Sequence, residues 1–421
     1  MQSENTGSTR RDFLGTAAML AAASAIPHLA SAAESNTPNA KLGVGYIGAG
    51  GRAYAHLDAV NYLKTQRNAA VEIVAVCDAY RPRLNKAGEA FKTKMYSDYR
   101  ELLADKNVDI VCIATPDHLH GYQAIDALRA GKHVYCEKPV THWRQFDLMK
   151  QLAAEVKKSG KTFQAGTQFM SDDSWHVGKR LIKEGLIGQP IHAECGYFRV
   201  GDWGERGMPI DDPKAQPGPD LNWEAFLGDS PKRPFDVSRY FRWRMYEDYA
   251  GGPVTDLYPH ILAPVVSMLP VTFPSLVVAS GGMYRYAERE VPDTFNLLID
   301  YPEKITVAVL GTQGNDYMGP AGRLPTIRGW DGTLTFVGKE VIFTPAEGSQ
   351  KKPQKFPIAH REDFVLFWET FLDACRNGSQ DTLSPIDLAY HTQTPLIMAA
   401  LAHRQSKVAR FDPQNQQILF A

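Results

Sequence analysis

The stretch from Lys41 to Ala53 constrains the fold of this chain more than any other. Leu42 to Ile47 is an apolar run with the length and composition of a buried parallel strand. It leads directly into a turn of small residues, Gly48 to Ala53, which fits the pattern G-x-G-x-x-G/A. A strand that breaks into such a turn before a helix is typical of the first unit of a doubly wound α/β sheet.

The small residues of this turn each have a physical role in binding a dinucleotide. Gly48 permits the tight turn, Gly50 lets the backbone approach a pyrophosphate, and Ala53 lets the next helix pack closely on the strand. Gly51 and Arg52 complete the turn. We therefore predict that phosphates meet the N–H groups at the positive end of the following helix.

A second apolar run, Val71 to Cys77, ends in an acidic residue, Asp78. A carboxylate at this place accepts hydrogen bonds from the adenosine ribose, which favours NAD. Arg81 and Arg83 follow closely, and together with Arg52 they can meet a 2′-phosphate. NAD is therefore the predicted cofactor, and NADP stays open.

The N-terminal segment has the pattern of a twin-arginine export signal. Arg10 and Arg11 precede a segment of small, moderately apolar residues, Gly15 to Pro27, and an A-x-A cleavage site follows. A short membrane anchor is the alternative, but the run is too short and too rich in alanine to span a bilayer comfortably. We predict a signal peptide at residues 1–33, a linker at 34–40 and a periplasmic location.

Composition excludes several classes of partner. The formal net charge of −1 gives no electrostatic case for binding nucleic acid or a membrane surface. No other apolar run is long enough for a spanning helix. The five cysteines are scattered, without C-x-x-C or a His/Cys cluster of metal-ligand spacing, so we expect no metal site. Cys77, Cys112 and Cys136 fall inside or at the end of apolar strands, where a buried free thiol is expected.

Two parts of the chain differ in their periodicity. From 41 to 166, apolar runs alternate with amphipathic segments, which predicts a parallel sheet with right-handed crossovers. After Gly166 comes an aromatic region rich in Pro and Gly, from Gly201 to Tyr249, for which core packing is the expected role of most aromatic side chains. Alternating runs then predict an open, mainly antiparallel sheet with one covered face, and two helices close the chain.

Two polar clusters are candidates for chemistry. Lys138 follows a predicted strand at the ligand edge of the parallel sheet, where it can reach both a nicotinamide ribose and a substrate hydroxyl, although a surface lysine in a turn is the alternative. Asp256 and His260 share one face if the chain is helical from Thr255 onward, so the carboxylate can orient the imidazole. A surface Asp–His pair is the plainer interpretation, and zinc lacks a third ligand nearby.

Four motifs occur in a fixed order: the glycine turn, T-P-x-x-x-H at Thr115 to His120, E-K-P at Glu137 to Pro139, and Gly-Gly followed by D-x-x-x-H at Asp256 to His260. Together they resemble the glucose–fructose oxidoreductase/inositol dehydrogenase (Gfo/Idh/MocA) family over essentially the whole mature chain. The resemblance implies a Rossmann domain at 41–166 and a C-terminal α/β domain at 167–421 that binds substrate and often forms oligomers through its open sheet.

The resemblance also implies hydride transfer between NAD(P) and a carbohydrate or polyol. By that likeness Lys138 relays the proton and bridges cofactor and substrate, His260 is the proximal acid/base, and Asp256 positions it. The residues expected on the nicotinamide side are Thr115, Pro116, His120 and Glu137. The candidate substrate-binding residues are Gln168, Tyr197, Arg199 and Tyr258.

Three functions fit these features. The leading one is an exported oxidoreductase that acts on a sugar and holds its cofactor tightly, since no NAD pool is expected outside the cytoplasm. The second is an NAD-dependent glycosidase or lyase that oxidises, eliminates and returns the hydride. The third is a non-catalytic binding protein, against which the retention of Lys138, Asp256 and His260 argues.

Overall fold

The structure is a computed structural model that describes residues 41–201, 208–317 and 324–421. The predicted signal peptide and linker lie outside the described residues, and so does Trp203 of the aromatic region.

The N-terminal part is a six-stranded parallel sheet in the order β3-β2-β1-β4-β5-β6. This is the strand order of a dinucleotide-binding Rossmann fold, so the predicted doubly wound sheet is confirmed. Its central strands are apolar throughout because helices cover both faces. The elements are β1 Leu42–Ile47, α1 Gly51–Gln66, β2 Val71–Cys77, α2 Arg81–Phe91, β3 Lys94–Tyr96, α3 Tyr99–Ala104, β4 Ile110–Ile113, α4 Asp117–Arg129, β5 His133–Cys136, α5 Phe146–Ser159 and β6 Phe163–Ala165.

The second sheet is large and mainly antiparallel, as predicted, with one parallel pair between β7 and β10. One face packs against α6, α10 and α12, and the other face is open. Its strands are β7 Pro190–Val200, β8 Leu276–Gly282, β9 Thr294–Tyr301, β10 Ile305–Thr312, β11 Gly314–Asn315, β12 Thr326–Gly329, β13 Gly332–Val337, β14 Glu340–Pro345, β15 Gln354–Pro357, β16 Ala409–Asp412 and β17 Gln417–Phe420. The helices of this part are α6 Asp173–Lys183, α7 Trp223–Leu227, α8 Val237–Phe241, α9 Pro253–Asp256, α10 Tyr258–Met268, α11 Phe364–Arg376 and α12 Ile386–Gln405.

The two closing helices pack back on the parallel sheet. Trp368 of α11 donates its indole N–H to His56 of α1 at 3.0 Å and stacks on Tyr135 of β5. Gln393 of α12 accepts from the backbone N–H of Val140 at 2.9 Å. These two C-terminal helices therefore stabilise β5 and the segment that follows it.

The aromatic region folds as an insertion, residues 208–250, with a small core of its own. Trp223, Tyr240 and Trp243 are buried there, so core packing of these rings is confirmed. The insertion packs on the segment just after β2, where Tyr80 pairs with Leu221 in an isolated bridge. It therefore covers the edge of the parallel sheet where Asp78 lies.

Two chain-wide expectations concern membranes and thiols. Within the described ranges, no helix is both long and apolar enough to cross a bilayer. Cys77, Cys112 and Cys136 are buried free thiols, as expected, and Cys195 and Cys375 are buried free thiols as well.

Candidate active site

A cavity of about 1090 Å³ lies at the carboxyl ends of the parallel strands, beneath the insertion. This is the edge at which open α/β sheets bind ligands. The predicted residues that line it are Gly48, Gly50, Gly51, Arg52, Asp78, Thr115, Pro116, His120, Glu137, Lys138 and Asp256. Ala53, the third residue of α1, is fully buried and does not line the cavity, which agrees with a role in packing the helix on the strand.

The glycine turn fits a pyrophosphate. Gly48 has φ +95, and a Cβ there would lie 2.6 Å from the carbonyl oxygen of Ala114, so only glycine is accommodated. At Gly50 the nearest described atom to a Cβ would be Nη1 of Arg83 at 3.6 Å, which leaves the backbone accessible to a ligand. Helix α1 starts at Gly51, and its first turn has no described side-chain cap. Its N–H groups can therefore donate to phosphate oxygens.

Asp78 is held at the adenosine end of the cavity by two backbone donors. The N–H of Ala49 donates to Oδ2 at 2.7 Å, and the N–H of Tyr80 donates to Oδ1 at 2.8 Å. Each carboxylate oxygen keeps a second lone pair, which can accept from a ribose hydroxyl.

Arg52 forms an ion pair with Glu137 and is not available to a 2′-phosphate on the adenosine ribose. Its Nε lies 2.7 Å from Oε1 of Glu137, and His56 shares that oxygen at 2.9 Å. Burial alone would raise the pKa of Glu137, but the Arg52 charge and the His56 hydrogen bond hold that pKa well below its usual range. Gln168, a candidate substrate residue, accepts from Arg52 at 3.3 Å and so borders this cluster.

Lys138 and Asp256 form an ion pair in the cavity wall. Nζ of Lys138 donates to the backbone oxygen of Asp256 and to its Oδ1, the latter at 2.8 Å. Arg244 of the insertion reaches the same Oδ1 from 3.3 Å. Burial opposes ionisation of Asp256, but Lys138 and Arg244 hold its pKa below the usual range. The carboxylate is therefore charged and fixes the Lys138 ammonium.

The structure contains no hydrogen bond between Asp256 and His260, the two residues predicted to share one helix face. Helix α9 ends at Asp256 and α10 starts at Tyr258, because Pro259 has no N–H with which to continue one helix through both residues. Among the described residues, Nδ1 of His260 has no hydrogen-bond partner, and the ring packs 5.6 Å from that of Phe169. Burial and then the Lys138 charge lower the pKa of His260 to about 3, so its imidazole is neutral.

None of the four candidate substrate residues lines the cavity, and neither does His260. Tyr258 does not fit direct substrate contact, since its side chain is fully buried and its hydroxyl donates to the carbonyl of Phe295. Tyr197 and Arg199 lie on β7 and do not line the cavity. Arg199 is nevertheless near enough to Asp256 to lower the pKa of that carboxyl.

The T-P-x-x-x-H motif lines the cavity and fixes the neighbouring turn by hydrogen bonds. The two ring nitrogens of His120 lie 2.7 Å from the carbonyl oxygens of Pro139 and Thr115. The Thr115 hydroxyl donates to Gln123 at 2.7 Å. His120 therefore ties the start of α4 to the E-K-P turn that carries Lys138.

Sequence reasoning missed two charged residues of the site. Asp117 is the first residue of α4, is 1% exposed, and neither of its carboxyl oxygens has a partner in the part of the chain that the structure describes. Burial, with a contribution from Asp256, raises the pKa of Asp117 to about 8. Arg244 reaches the site from the insertion. An acid directly after Thr-Pro was visible in the sequence, but nothing local marks Arg244.

Comparison with protein families finds two models of one family. Residues 42–167 match a model described as an oxidoreductase family with an NAD-binding Rossmann fold. Residues 175–278 match its C-terminal alpha/beta domain. Both bear the name Gfo/Idh/MocA, and together they span more than half of the chain.

Individual relatives match over shorter stretches. Inositol 2-dehydrogenase of Salmonella paratyphi B is 34% identical over 132 residues, 31% of this chain and 39% of that protein. Alpha-N-acetylgalactosaminidase of Shewanella oneidensis is 27% identical over 174 residues, 38% of this chain and 36% of that protein. The chain thus spans less than half the length of these curated relatives.

The fold is shared more widely. The WlbA dehydrogenase of Bordetella pertussis, solved with NADH and UDP-GlcNAcA, superposes with a TM-score of 0.64 at 18% identity. The match covers 88% of this chain and 99% of that one.

Proposed function

This chain belongs to the Gfo/Idh/MocA family of oxidoreductases, and on that premise we propose that it oxidises a hydroxyl group of a sugar or sugar derivative with NAD. The observation that carries the proposal is the Lys138–Asp256 pair, which lines the same cavity as the glycine turn. The sugar class is supported by inositol 2-dehydrogenase, a relative that is 34% identical over 132 residues.

The residues divide the proton chemistry between them. When bound, NAD supplies the hydride acceptor. Lys138, held by Asp256, donates a hydrogen bond to the substrate oxygen and stabilises the negative charge that develops on it. We assign acceptance of the hydroxyl proton to His260, whose imidazole is neutral and whose Nδ1 has no partner among the described residues, although the ring lies outside the cavity lining.

Location and cofactor turnover belong to the same proposal. The twin-arginine pattern at Arg10 and Arg11 supports export to the periplasm. Because no NAD pool is expected there, the cofactor stays bound and the hydride passes to a second sugar.

Assembly is proposed through the open face of the second sheet. Leu298 of β9 and Leu310 of β10 are 46% and 42% exposed on neighbouring strands. Exposed apolar side chains grouped on one sheet face are typical of a subunit interface. A homo-oligomer would cover them.

A second candidate function is favoured by one relative. The matching alpha-N-acetylgalactosaminidase supports a glycosidase or lyase that oxidises a hydroxyl, eliminates a substituent and then returns the hydride to the same sugar. Lys138 and His260 would serve the same proton transfers in both cases.

One experiment separates the alternatives. The purified protein is first analysed for bound nucleotide and then incubated with sugars and p-nitrophenyl glycosides in deuterated buffer. Elimination places deuterium on the carbon next to the oxidised one, whereas sugar-to-sugar transfer yields one oxidised and one reduced product without that exchange. Steady release of free NADH with one oxidised product contradicts a closed redox cycle. Absence of turnover and of bound nucleotide contradicts the oxidoreductase proposal itself.

A further inference from the structure

Three arginines are near enough in sequence to bind a 2′-phosphate on the adenosine ribose: Arg52, Arg81 and Arg83. Each forms an ion pair with a carboxylate of this chain, and the three carboxylates lie in different places. Arg52 is paired with the buried Glu137. Arg81 points to the surface, where its 55% exposed side chain lies 2.9 Å from Asp220.

Arg83 is the one cation of the three placed at the adenosine end of the cavity. Its Nη1 approaches the glycine turn, 3.6 Å from where a Cβ of Gly50 would lie. Its Nε lies 2.6 Å from Oδ2 of Asp211, and its guanidinium packs 5.2 Å from the ring centre of Phe241. Only 23% of the Arg83 side chain is exposed, so the ion pair with Asp211 is partly shielded from water.

Asp211 comes from the insertion, which backbone hydrogen bonds join to the segment after β2. The N–H of Asn222 donates to the carbonyl of Ala79 at 2.9 Å, and the N–H of Arg81 donates to the carbonyl of Asp220 at 2.9 Å. These backbone bonds fix the insertion against the strand end that carries Asp78. Burial, with a smaller contribution from the Asp211 charge, raises the pKa of Asp78, so the two carboxylates lie near each other, although Asp211 does not itself line the cavity.

We propose that Asp211 sets the preference of the site for NAD over NADP. Its carboxylate pairs with the guanidinium of Arg83, which would otherwise be available to a 2′-phosphate. It also adds a second negative charge, beside that of Asp78, that repels such a phosphate. NAD carries no charge at the 2′ position and meets neither obstacle. This inference rests on the NAD-binding site and is independent of the substrate.

The test compares two isosteric substitutions on matched ion pairs. Asp211→Asn releases the arginine in the cavity, whereas Asp220→Asn releases the arginine at the surface. Dissociation constants for NAD and NADP are measured by calorimetric titration of nucleotide-free protein, with melting temperature as a check of folding. We expect Asp211→Asn to strengthen NADP binding roughly 10- to 100-fold relative to NAD, as a charge-assisted hydrogen bond becomes available. Asp220→Asn should leave the ratio unchanged.

A second variant assigns the gain to Arg83. In the double variant Asp211→Asn with Arg83→Gln, the added NADP affinity should disappear. An unchanged NADP/NAD ratio in folded Asp211→Asn overturns the proposal, and so does an equal change in the Asp220→Asn control. A wild-type protein that binds neither nucleotide refutes the site on which the inference rests, and that result is distinct from a failure of selectivity.

Discussion

Lys138 and Asp256 act as a unit because each neutralises the other in a place with little water. Their side chains are 11% and 9% exposed. Removing Asp256 leaves the Lys138 charge without its carboxylate, and removing Lys138 leaves Asp256 with Arg244 alone, at 3.3 Å. The pair therefore has a different energetic signature from two residues that act separately.

A double-mutant cycle measures this coupling. Lys138→Ala and Asp256→Ala should each lower kcat/KM roughly 10²- to 10⁴-fold, and the double variant should lose little more than either single one. The coupling between Asp256 and His260 should be weaker, since no hydrogen bond joins them and only the charge of Asp256 acts on the imidazole. Steady-state kinetics with the identified substrate gives the values. Strong coupling between Asp256 and His260, with none between Lys138 and Asp256, would contradict the observed geometry.

Asp117 makes stability depend on pH. Its folded-state pKa of about 8 exceeds that of an unfolded aspartate, so between about pH 4 and pH 8 the folded state keeps a proton that the unfolded state has released. The free energy of unfolding therefore falls as pH rises through this window.

The isosteric Asp117→Asn variant removes this titration. Its melting temperature should exceed that of the wild type by more at pH 8 than at pH 5, as measured by calorimetry. Asp58→Asn, at an exposed position of α1, is the control and should follow the wild type. A constant difference between Asp117→Asn and the wild type across this range would mean that Asp117 does not stay protonated in the folded protein.

At the scale of elements, the insertion depends on one buried carboxylate. Asp248 is 4% exposed and faces three guanidinium groups, those of Arg144 at 3.3 Å, Arg233 at 2.5 Å and Arg239 at 3.5 Å. Arg144 lies beyond β5, so this cluster joins the insertion to the parallel-sheet domain.

Asp248→Asn should loosen the insertion without unfolding the sheet. We expect a loss of about 2 kcal/mol, less than for a fully buried pair, because Arg233 is 44% exposed and screened by solvent. Hydrogen exchange should rise across 208–250 and stay unchanged in β1 and β4. Glu184→Gln, in the exposed pair with Arg180, is the control. Unchanged protection of the insertion against exchange would show that its aromatic core holds it in place without the Asp248 ion pairs.

At the scale of the whole molecule, the open sheet face is the proposed contact between subunits. Leu298 pairs in register with Ala308, two residues from Leu310 on the same strand face. Leu298→Glu together with Leu310→Glu should reduce the molar mass measured by light scattering to that of one chain. Tyr62→Glu, 44% exposed on α1, should not. A monomeric wild type would remove the proposal.

The proposed export by the twin-arginine route is tested by substituting the two arginines of the signal. Replacing Arg10 and Arg11 with lysine should leave the protein in the cytoplasm, because the pathway reads the guanidinium pair. Immunoblots of periplasmic and cytoplasmic fractions give the distribution, with the wild type as reference. Undiminished periplasmic protein would exclude the twin-arginine route.

Much of the fold was predictable because its signals are local. Strands β1 and β2 have the predicted bounds, since an apolar run between polar residues marks a buried strand without reference to the rest of the chain. The glycine turn and Asp78 were predictable for the same reason: backbone conformation and strand ends are properties of neighbouring residues. The NAD-binding Rossmann domain is confirmed by the family match.

Tertiary structure decided which charges meet. The sequence suggested that Asp256 orients His260, one helical turn away. The helix is instead interrupted at Leu257, and the carboxylate accepts a hydrogen bond from Lys138. Arg83 likewise meets Asp211, which the insertion brings from far along the chain. Hydrophobic periodicity determines where elements form and which face is buried. The partner of a buried charge depends on the distance and desolvation that remain after the elements have packed, and these are set by contacts between distant segments.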